Sequence, residues 1–251
     1  MPTHAFSVGE VLKAGWKKFR EQPATWIGAL IILFIVYASQ PFVQNLITGG
    51  ENENYPHPGI VILLSIIYIL IDLGLTLGLI YMGIRAADNL PVHLGHLFAR
   101  FHYVFHYLIA KIVFSLIVLA GLILLVFPAA IWGTRFGLFP LFIADKGSGP
   151  IESLELSSSA SKGAKWDLFA FYLTSFLIFL AGIAVVFLGI LIAMPPIYVA
   201  WGYIYRRLTT PTTLQPVVIT PPLPSTEGKV IEPSTGTTIE PSTSETPPTV
   251  T

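Results

Sequence analysis

Long apolar runs with few polar interruptions dominate this sequence, and they are clearest between His102 and Asp145. A basic and aromatic approach leads into one apolar run, Pro128 interrupts it, and a second apolar run ends at Asp145. Lipid can surround so many consecutive apolar side chains, and it requires each backbone polar group to be paired within the segment. The pattern therefore predicts a hairpin of two membrane-spanning helices.

The composition extends this prediction to most of the chain. Of the 251 residues, 53% are hydrophobic and only 11% are charged, whereas soluble domains carry roughly 25% charged residues. The formal net charge is zero, which gives no reason to expect a nucleic-acid partner. The absence of cysteine excludes disulfides, thiolate nucleophiles and thiolate-bound zinc. We expect an all-α, polytopic membrane protein without a cofactor.

The apolar runs predict a transmembrane helical domain over residues 1–208, with six spans arranged as three hairpins. Four spans are expected near residues 26–43, 60–84, 107–127 and 129–144, and two more between 168 and 205. The boundary of the last two is open, since Gly182, Gly189 and Pro195-Pro196 all offer breaks. Basic residues precede the first span and follow the last, so both termini are expected in the cytoplasm. A signal cleaved after Ala38 competes with the first span, but the preceding polar region is long for a signal.

Residues 7–20 predict an amphipathic helix that lies on the membrane surface. Its apolar residues share one face, and its cations lie away from that face: Lys13, Lys17, Lys18 and Arg20. This basic cluster predicts contact with the lipid bilayer and its anionic head groups. Weaker echoes of the pattern begin near residues 94 and 150. They predict an interfacial amphipathic helix before each of the other two hairpins.

Asp72 is the one acid expected deep in the membrane. Polar residues on its helix face form a stripe: Ser65, Tyr68, Asp72 and Thr76. Gly74 and Gly78 form a small-residue stripe for helix packing on nearly the opposite side. Arg135 in the fourth span is the candidate counter-charge for Asp72. Two interpretations stay open: Asp72 relays protons or binds a cation, or it is an acid that fixes helix packing.

Four histidines precede the third span: His93, His96, His102 and His106. The last two have the four-residue spacing that binds zinc on a helix face. They lie among aromatic residues at the expected membrane interface, where such residues are ordinary, so we expect no metal site. The sequence also contains no phosphate-binding glycine loop and no nucleophile elbow. We therefore identify no catalytic residue and do not expect an enzyme.

The composition changes at Thr209. Residues 209–251 are rich in Thr, Pro and Ser, and Ile231–Thr235 is repeated at Ile239–Thr243. Such a segment buries too little apolar surface to offset the entropy of ordering, which predicts a disordered cytoplasmic tail. Pro221–Pro224 could bind a polyproline-recognising groove, although a plain spacer is the favoured interpretation.

Several motifs resemble a family of six-span bacterial inner-membrane proteins of the YciC type and the related membrane domain fused to some glycerophosphodiester phosphodiesterases. The resemblance covers residues 6–208 and rests on these segments: Phe98–Phe105, Leu125–Pro128, Arg135, Leu141–Asp145, Pro150–Leu154, Ser158, Lys162 and Gly163. It implies a six-span fold in the bacterial inner membrane and transfers no catalytic residue. Two features depart from the family, because Pro128-Ala129 replaces an expected Pro-Gly and no phosphodiesterase domain is present.

These observations favour a non-catalytic membrane-organising or interaction component over an enzyme. The expected partners are lipid and either another membrane protein or a second copy of the chain. The alternative function is a small-solute or ion carrier that uses Asp72. Its polar groups within the membrane are few for a hydrated pathway, which places it second.

Overall fold

The computed structural model describes residues 5–48, 58–124, 126–184 and 188–210, and within them all regular structure is helical. The α-helices in chain order are α1 (Val8–Glu21), α2 (Pro23–Thr48), α3 (Pro58–Ala87), α4 (Val104–Leu124), α5 (Val126–Phe136), α6 (Phe139–Lys146), α7 (Pro150–Ala160), α8 (Lys165–Ala184) and α9 (Leu188–Thr209). Two short 3₁₀ helices, Leu94–Leu97 and Phe101–Tyr103, connect α3 to α4. The all-α prediction is confirmed. The disordered tail was predicted from residue 209, but Thr209 still belongs to α9, and residues 211–251 lie outside the described residues.

Four segments are long and apolar enough to cross a membrane: Pro23–Ile47, Gly59–Ala87, Leu94–Leu124 and Lys165–Ile183. Exposed aliphatic and aromatic side chains run along α4 from Phe105 to Leu124 and along α8 from Phe169 to Ile183. The stretch on α4 is about 30 Å long, which matches the hydrocarbon thickness of a bilayer. A water-soluble surface would not carry such a continuous apolar patch. These features indicate a membrane protein.

The fourth predicted span is not one helix. The structure divides it into α5 and α6, with a break at Gly137 and Leu138. Pro140 lies in the first turn of α6, where its missing N–H group leaves no helical hydrogen bond unmade. Gly137 packs against the Tyr172 hydroxyl and the Gly133 carbonyl group, which leaves no room for a Cβ atom. The apolar run therefore conceals a helix end that close packing requires.

α1 lies across α9 near one end of the bundle. The backbone N–H of Ala5 donates to Asp167 at the start of α8 (2.6 Å), and Gly15 contacts the Pro196 carbonyl group. At its other end, Lys18 lines a cavity beside Asn89, which follows α3. This placement agrees with the predicted amphipathic helix. Ser7 is the N-cap of α1, although its side chain makes no capping hydrogen bond.

Of the other two predicted interfacial helices, the one near residue 94 is wrong in form. Residues 94–103 fold into the two 3₁₀ helices rather than an amphipathic α-helix. α7 is helical, but it is packed against α4, α5 and α6, and several of its serines are buried. The hydroxyl groups of these buried serines donate hydrogen bonds to backbone carbonyl groups inside the protein. Of the two echoes, only the one near residue 150 therefore gives an α-helix.

α3 is the central helix of the bundle. It contacts α2, α4, α6 and α9, and its residues belong to both hydrophobic clusters of the core. Leu77 joins one cluster with Phe142 and Tyr205, and Leu79 joins the other with Trp26. α8 ends at Ala184 and α9 begins at Leu188, so Pro195 and Pro196 lie inside a helix.

Candidate functional site

The predicted intramembrane acid lines a cavity between α2 and α3. Asp72 shares this space of about 200 Å³ with Gln40, Tyr68 and Tyr37. Asp72 is partly buried, and within the described part of the chain its carboxylate makes no hydrogen bond or ion pair. The cavity therefore presents an acidic side chain without a described partner beside the hydrogen-bonding groups of Gln40 and the two tyrosines.

The polar stripe of α3 faces α2. Two pairs of polar side chains connect the helices on the N-terminal side of Asp72 in α3. The side-chain amide of Gln44 donates to Ser65 Oγ (3.1 Å), and the hydroxyl groups of Ser39 and Tyr68 lie 3.1 Å apart. The polar groups of α2 were not included in the sequence-based site, although Ser39, Gln40 and Gln44 have helical spacing that would have identified them. They extend the stripe into a polar seam, defined here as Ser39, Gln40 and Gln44 of α2 with Ser65, Tyr68 and Asp72 of α3.

Arg135 is not placed with Asp72. Its Nε donates to Ser158 Oγ at 2.7 Å, and no described ion pair joins the two predicted partners. Its backbone carbonyl accepts hydrogen bonds from Ser157 Oγ (3.1 Å) and Ser161 Oγ (3.0 Å). Ser157 Oγ also accepts from the Leu138 N–H (3.0 Å). Arg135 and the α7 serines thus complete the backbone hydrogen bonds at the break between α5 and α6.

The glycine stripe of α3 receives the connection to α4 rather than another long helix. A Cβ atom at Gly74 would meet the Phe101 ring at 2.7 Å, and one at Gly78 would meet the backbone of Leu97. The glycines that bring two long helices together are Gly83 of α3 and Gly202 of α9, each next to the other helix's backbone. Glycines do mark close contacts in this bundle, as expected for membrane helices. The sequence did not indicate which element would pack against each glycine.

A charged cluster joins the ends of α3, α6 and α9, and we call it the Arg206 clamp: Asp88, Asp145, Tyr205 and Arg206. Arg206 donates from Nε and Nη2 to the two oxygens of Asp88, both at 2.7 Å. It also donates to Asp145 at 2.8 and 3.0 Å, and the Tyr205 hydroxyl donates to Asp145 at 2.9 Å. These charge-assisted bonds fix three helix ends relative to one another.

The electrostatics of the clamp keep its arginine charged. Burial alone would lower the pKa of Arg206, but the hydrogen bonds and charges of Asp88 and Asp145 outweigh it and raise that pKa above its usual range. Arg100 supports the same region, because its guanidinium lies 4.0 Å from the Tyr81 ring centroid and bonds the Asp145 carbonyl oxygen. Each of these charges bonds another helix end, so the clamp offers no free acid–base pair.

The clamp was not predicted as a site from the sequence. Its ion pairs join residues 61 and 118 positions apart, and no local pattern indicates such pairings. The available signal was that Asp88, Asp145 and Arg206 each stand at the end of an apolar run. Residues at the same membrane surface can meet, but the sequence alone does not say which of them do.

The basic cluster of α1 divides into paired and unpaired members. Lys18 Nζ forms an ion pair with Glu21 (2.6 Å). For Lys13, Lys17 and Arg20, no acidic partner is present among the residues that the structure describes, and all three are exposed. The face opposite these cations packs on the bundle through Val11, Gly15 and Phe19. These three exposed cations therefore lie on the side of α1 that faces away from the bundle.

His93, His96 and His102 lie in the connection before α4, and His106 lies in the first turn of α4. His102 belongs to a 3₁₀ helix whereas His106 belongs to α4, so they do not share the regular helix face on which the zinc spacing depends. Both rings pack near Tyr103, with centroids 3.9 and 6.0 Å from its ring centroid. Among residues 5–48, 58–124, 126–184 and 188–210, no group of three or more His, Asp or Glu is arranged to hold a metal ion.

Compared with known proteins, the chain matches no family model, no curated protein and no solved structure.

Proposed function

We propose that this chain is a non-catalytic membrane-organising or interaction component with six crossings and both termini in the cytoplasm of a bacterial cell. The observation that carries this proposal is the Arg206 clamp. Its charged groups bond helix ends to each other instead of lining a cavity. Such an arrangement stabilises one conformation of the bundle, which suits a scaffold that presents fixed surfaces.

The surfaces available to a partner are the lipid-facing helices. Leu116 of α4 and Leu177 of α8 are more than half exposed, whereas Leu77 of α3 is fully buried. In membranes, helices associate through van der Waals packing and interhelical hydrogen bonds between complementary faces. A partner or a second copy would therefore contact one face reproducibly, and lipid would cover the others.

Site-specific photo-crosslinking in native membranes tests the scaffold. A photoreactive phenylalanine at Leu116 or Leu177 should give one protein adduct of discrete mass on one helix face, and neighbouring positions on that face should give the same adduct. The buried position Leu77 is the matched control and should give none. Adducts with lipid alone at every exposed position of α2, α4 and α8 would contradict the proposal.

The cavity at Asp72 favours a second candidate, a carrier of a small cation or cationic solute. An unpaired carboxylate beside Gln40 and the Tyr68 hydroxyl supplies the oxygen ligands that hard cations prefer. The other groups of the polar seam would provide hydrogen bonds along the path of a solute toward Asp72. The two candidates differ over whether Asp72 faces water or a dry helix contact.

Cysteine accessibility separates the two candidates, because the native chain has no cysteine. A carrier predicts that Thr76→Cys reacts with a small aqueous thiol reagent, and that a cation bound at Asp72 slows the reaction. Leu77→Cys lies next to it in sequence but is buried, so it serves as the control. Equal, low reactivity of Thr76→Cys and Leu77→Cys would exclude a water-filled pathway at Asp72. In transport assays, Asp72→Asn should abolish cation-coupled uptake if the carrier is correct.

A further inference from the structure

An apolar groove of about 440 Å³ is lined by α1, α8 and α9. α1 contributes Leu12 and Trp16, α8 contributes Ile178 and Ala181, and α9 contributes Ile192 and Pro196. The volume lies in the range of pockets that hold a small organic ligand or part of a larger one. Its lining is almost wholly apolar, so its occupant must present hydrocarbon to it.

The groove exists because of how α1 crosses α9. Gly15 has no side chain and lies directly against the Pro196 carbonyl group, which brings α1 onto α9. On the far side, the small residues Ala181, Gly182 and Ala193 leave the space between α8 and α9 unfilled. The groove adjoins the exposed lipid-facing side chains of α8, including Leu177 and Leu180. Membrane lipid therefore has access to it.

Cations border the part of the groove that α1 forms. Lys13 and Lys17 follow Leu12 and Trp16 in sequence, and Arg20 lies one helical turn after Trp16. As described above, Lys18 is neutralised by Glu21, whereas these three cations have no acidic partner among the described residues. Trp16 is 40% exposed between the groove and the cations, where an indole suits the membrane–water interface. An apolar pocket beside unpaired cations complements an amphiphile with an anionic head.

We propose that this groove binds one anionic phospholipid, with an acyl chain against Trp16 and Ile192 and its phosphate at Lys13, Lys17 and Arg20. Because cations border the groove, a purely apolar ligand would leave them without a partner. Because the lining is apolar, free phosphate would not fill the groove. This lipid site rests on the proposed membrane-organising function and names one of its partners. Binding would fix α1 against α8 and α9 and would select the lipids next to the bundle.

Native mass spectrometry of the full chain, released from nanodiscs that contain equal amounts of phosphatidylglycerol and phosphatidylcholine, tests the rim. The wild-type chain should retain one phosphatidylglycerol in preference to phosphatidylcholine. Replacing Lys13, Lys17 and Arg20 by Gln should lower this preference by roughly fivefold for each cation removed. Lys18→Gln is the matched control, because its charge is already paired, and it should change the preference little. An unchanged preference in the triple variant would overturn the site.

A second pair of variants tests the groove itself. Ala181→Phe should fill the groove and lower lipid retention while all four α1 cations remain, whereas Leu180→Phe changes a lipid-facing position and should not. Retention that survives Ala181→Phe would overturn the groove as the acyl-chain site. Equal retention of phosphatidylcholine would identify a neutral lipid as the occupant and would also overturn the proposal.

Photo-crosslinking with phosphatidylglycerol that carries a label in its acyl chain tests the site in the unmodified protein. It therefore does not depend on whether a variant folds. A diazirine in its acyl chain should crosslink the unmodified protein at residues of the groove, including Ile178 or Ile192. Crosslinks spread evenly over α2, α4 and α8 would indicate bulk lipid and contradict the site. The protein adducts that test the scaffold are also measured at Leu116 of α4, a helix that does not line the groove. If those adducts persist while lipid selectivity is absent, the lipid site alone is refuted.

Discussion

The guanidinium of Arg206 forms a two-pronged contact with the carboxylate of Asp88, with both N–O distances at 2.7 Å, across 118 positions of sequence. The contact joins the end of α9 to the end of α3, and the same guanidinium reaches Asp145 at the end of α6. A planar guanidinium can satisfy two carboxylates in this way, whereas a lysine ammonium cannot reproduce the geometry. The side chain of Arg206 therefore bonds the ends of α3, α6 and α9 to one another.

Replacing Arg206 by Gln should destabilise the bundle. The change removes charge-assisted bonds and leaves Asp88 and Asp145 as neighbouring like charges. Since these side chains are 17 to 33% exposed, water screens part of the loss, and we expect a decrease in the free energy of unfolding of about 2 kcal/mol. Reversible unfolding in mixed micelles would measure it.

Arg207 provides the control for this variant. It is exposed at the next position, and Arg207→Gln should change the free energy of unfolding by less than about 0.5 kcal/mol. Arg206→Lys should retain the charge but lose the paired contacts, and its stability should lie between those of the wild type and Arg206→Gln. Similar losses from the two Gln variants would refute the clamp.

Gly83 is expected to tolerate no side chain. A Cβ atom there would overlap the Tyr198 carbonyl group, and Gly202 approaches the Gly83 backbone from α9. Gly83→Ala should therefore force α3 and α9 apart and lower the free energy of unfolding by about 1–3 kcal/mol. Gly133→Ala is the control, since open space surrounds that position and alanine favours a helix. An equally stable Gly83→Ala protein would contradict the close contact.

The sequence predicted the long membrane helices more successfully than the contacts between them. Gly59–Ala87 and Lys165–Ile183 follow from apolar composition, which is a local property. The partner of Arg135 could not be predicted in the same way, because Asp72 and Ser158 are both distant in sequence. Depth in the membrane favoured Asp72, whereas the unsatisfied backbone groups at the α5–α6 break brought the α7 serines to Arg135 instead. Apolar composition hid that break, although Gly137 and Pro140 were visible signals of it.

Ser157 should be needed for the α5–α6 break. Its hydroxyl accepts from the Leu138 N–H and donates to the Arg135 carbonyl oxygen. Ser157→Ala leaves the buried Leu138 N–H without this partner, while Ser161 Oγ still bonds the Arg135 carbonyl oxygen, so we expect a loss of about 1–3 kcal/mol in the free energy of unfolding. Ser159→Ala is the matched control, because Ser159 is exposed and bonds only the Glu155 carbonyl of its own helix. Hydrogen exchange should locate the opening produced by Ser157→Ala at residues 135–139 and not in α4.

The clamp also constrains the topology, and cysteine labelling in intact cells tests it. Asp145 and Arg206 are bonded, so the adjacent positions 146 and 207 must lie on the same side of the membrane. With six crossings, Lys146→Cys and Arg207→Cys should both resist a membrane-impermeant maleimide until the cells are permeabilised, whereas Glu51→Cys should react at once. The native chain has no cysteine, so each variant reports a single position. Labelling of 146 but not 207 in intact cells would place them on opposite sides and refute the clamp. Labelling of both, with 51 protected, would preserve the clamp and reverse the orientation that the loop charges predict.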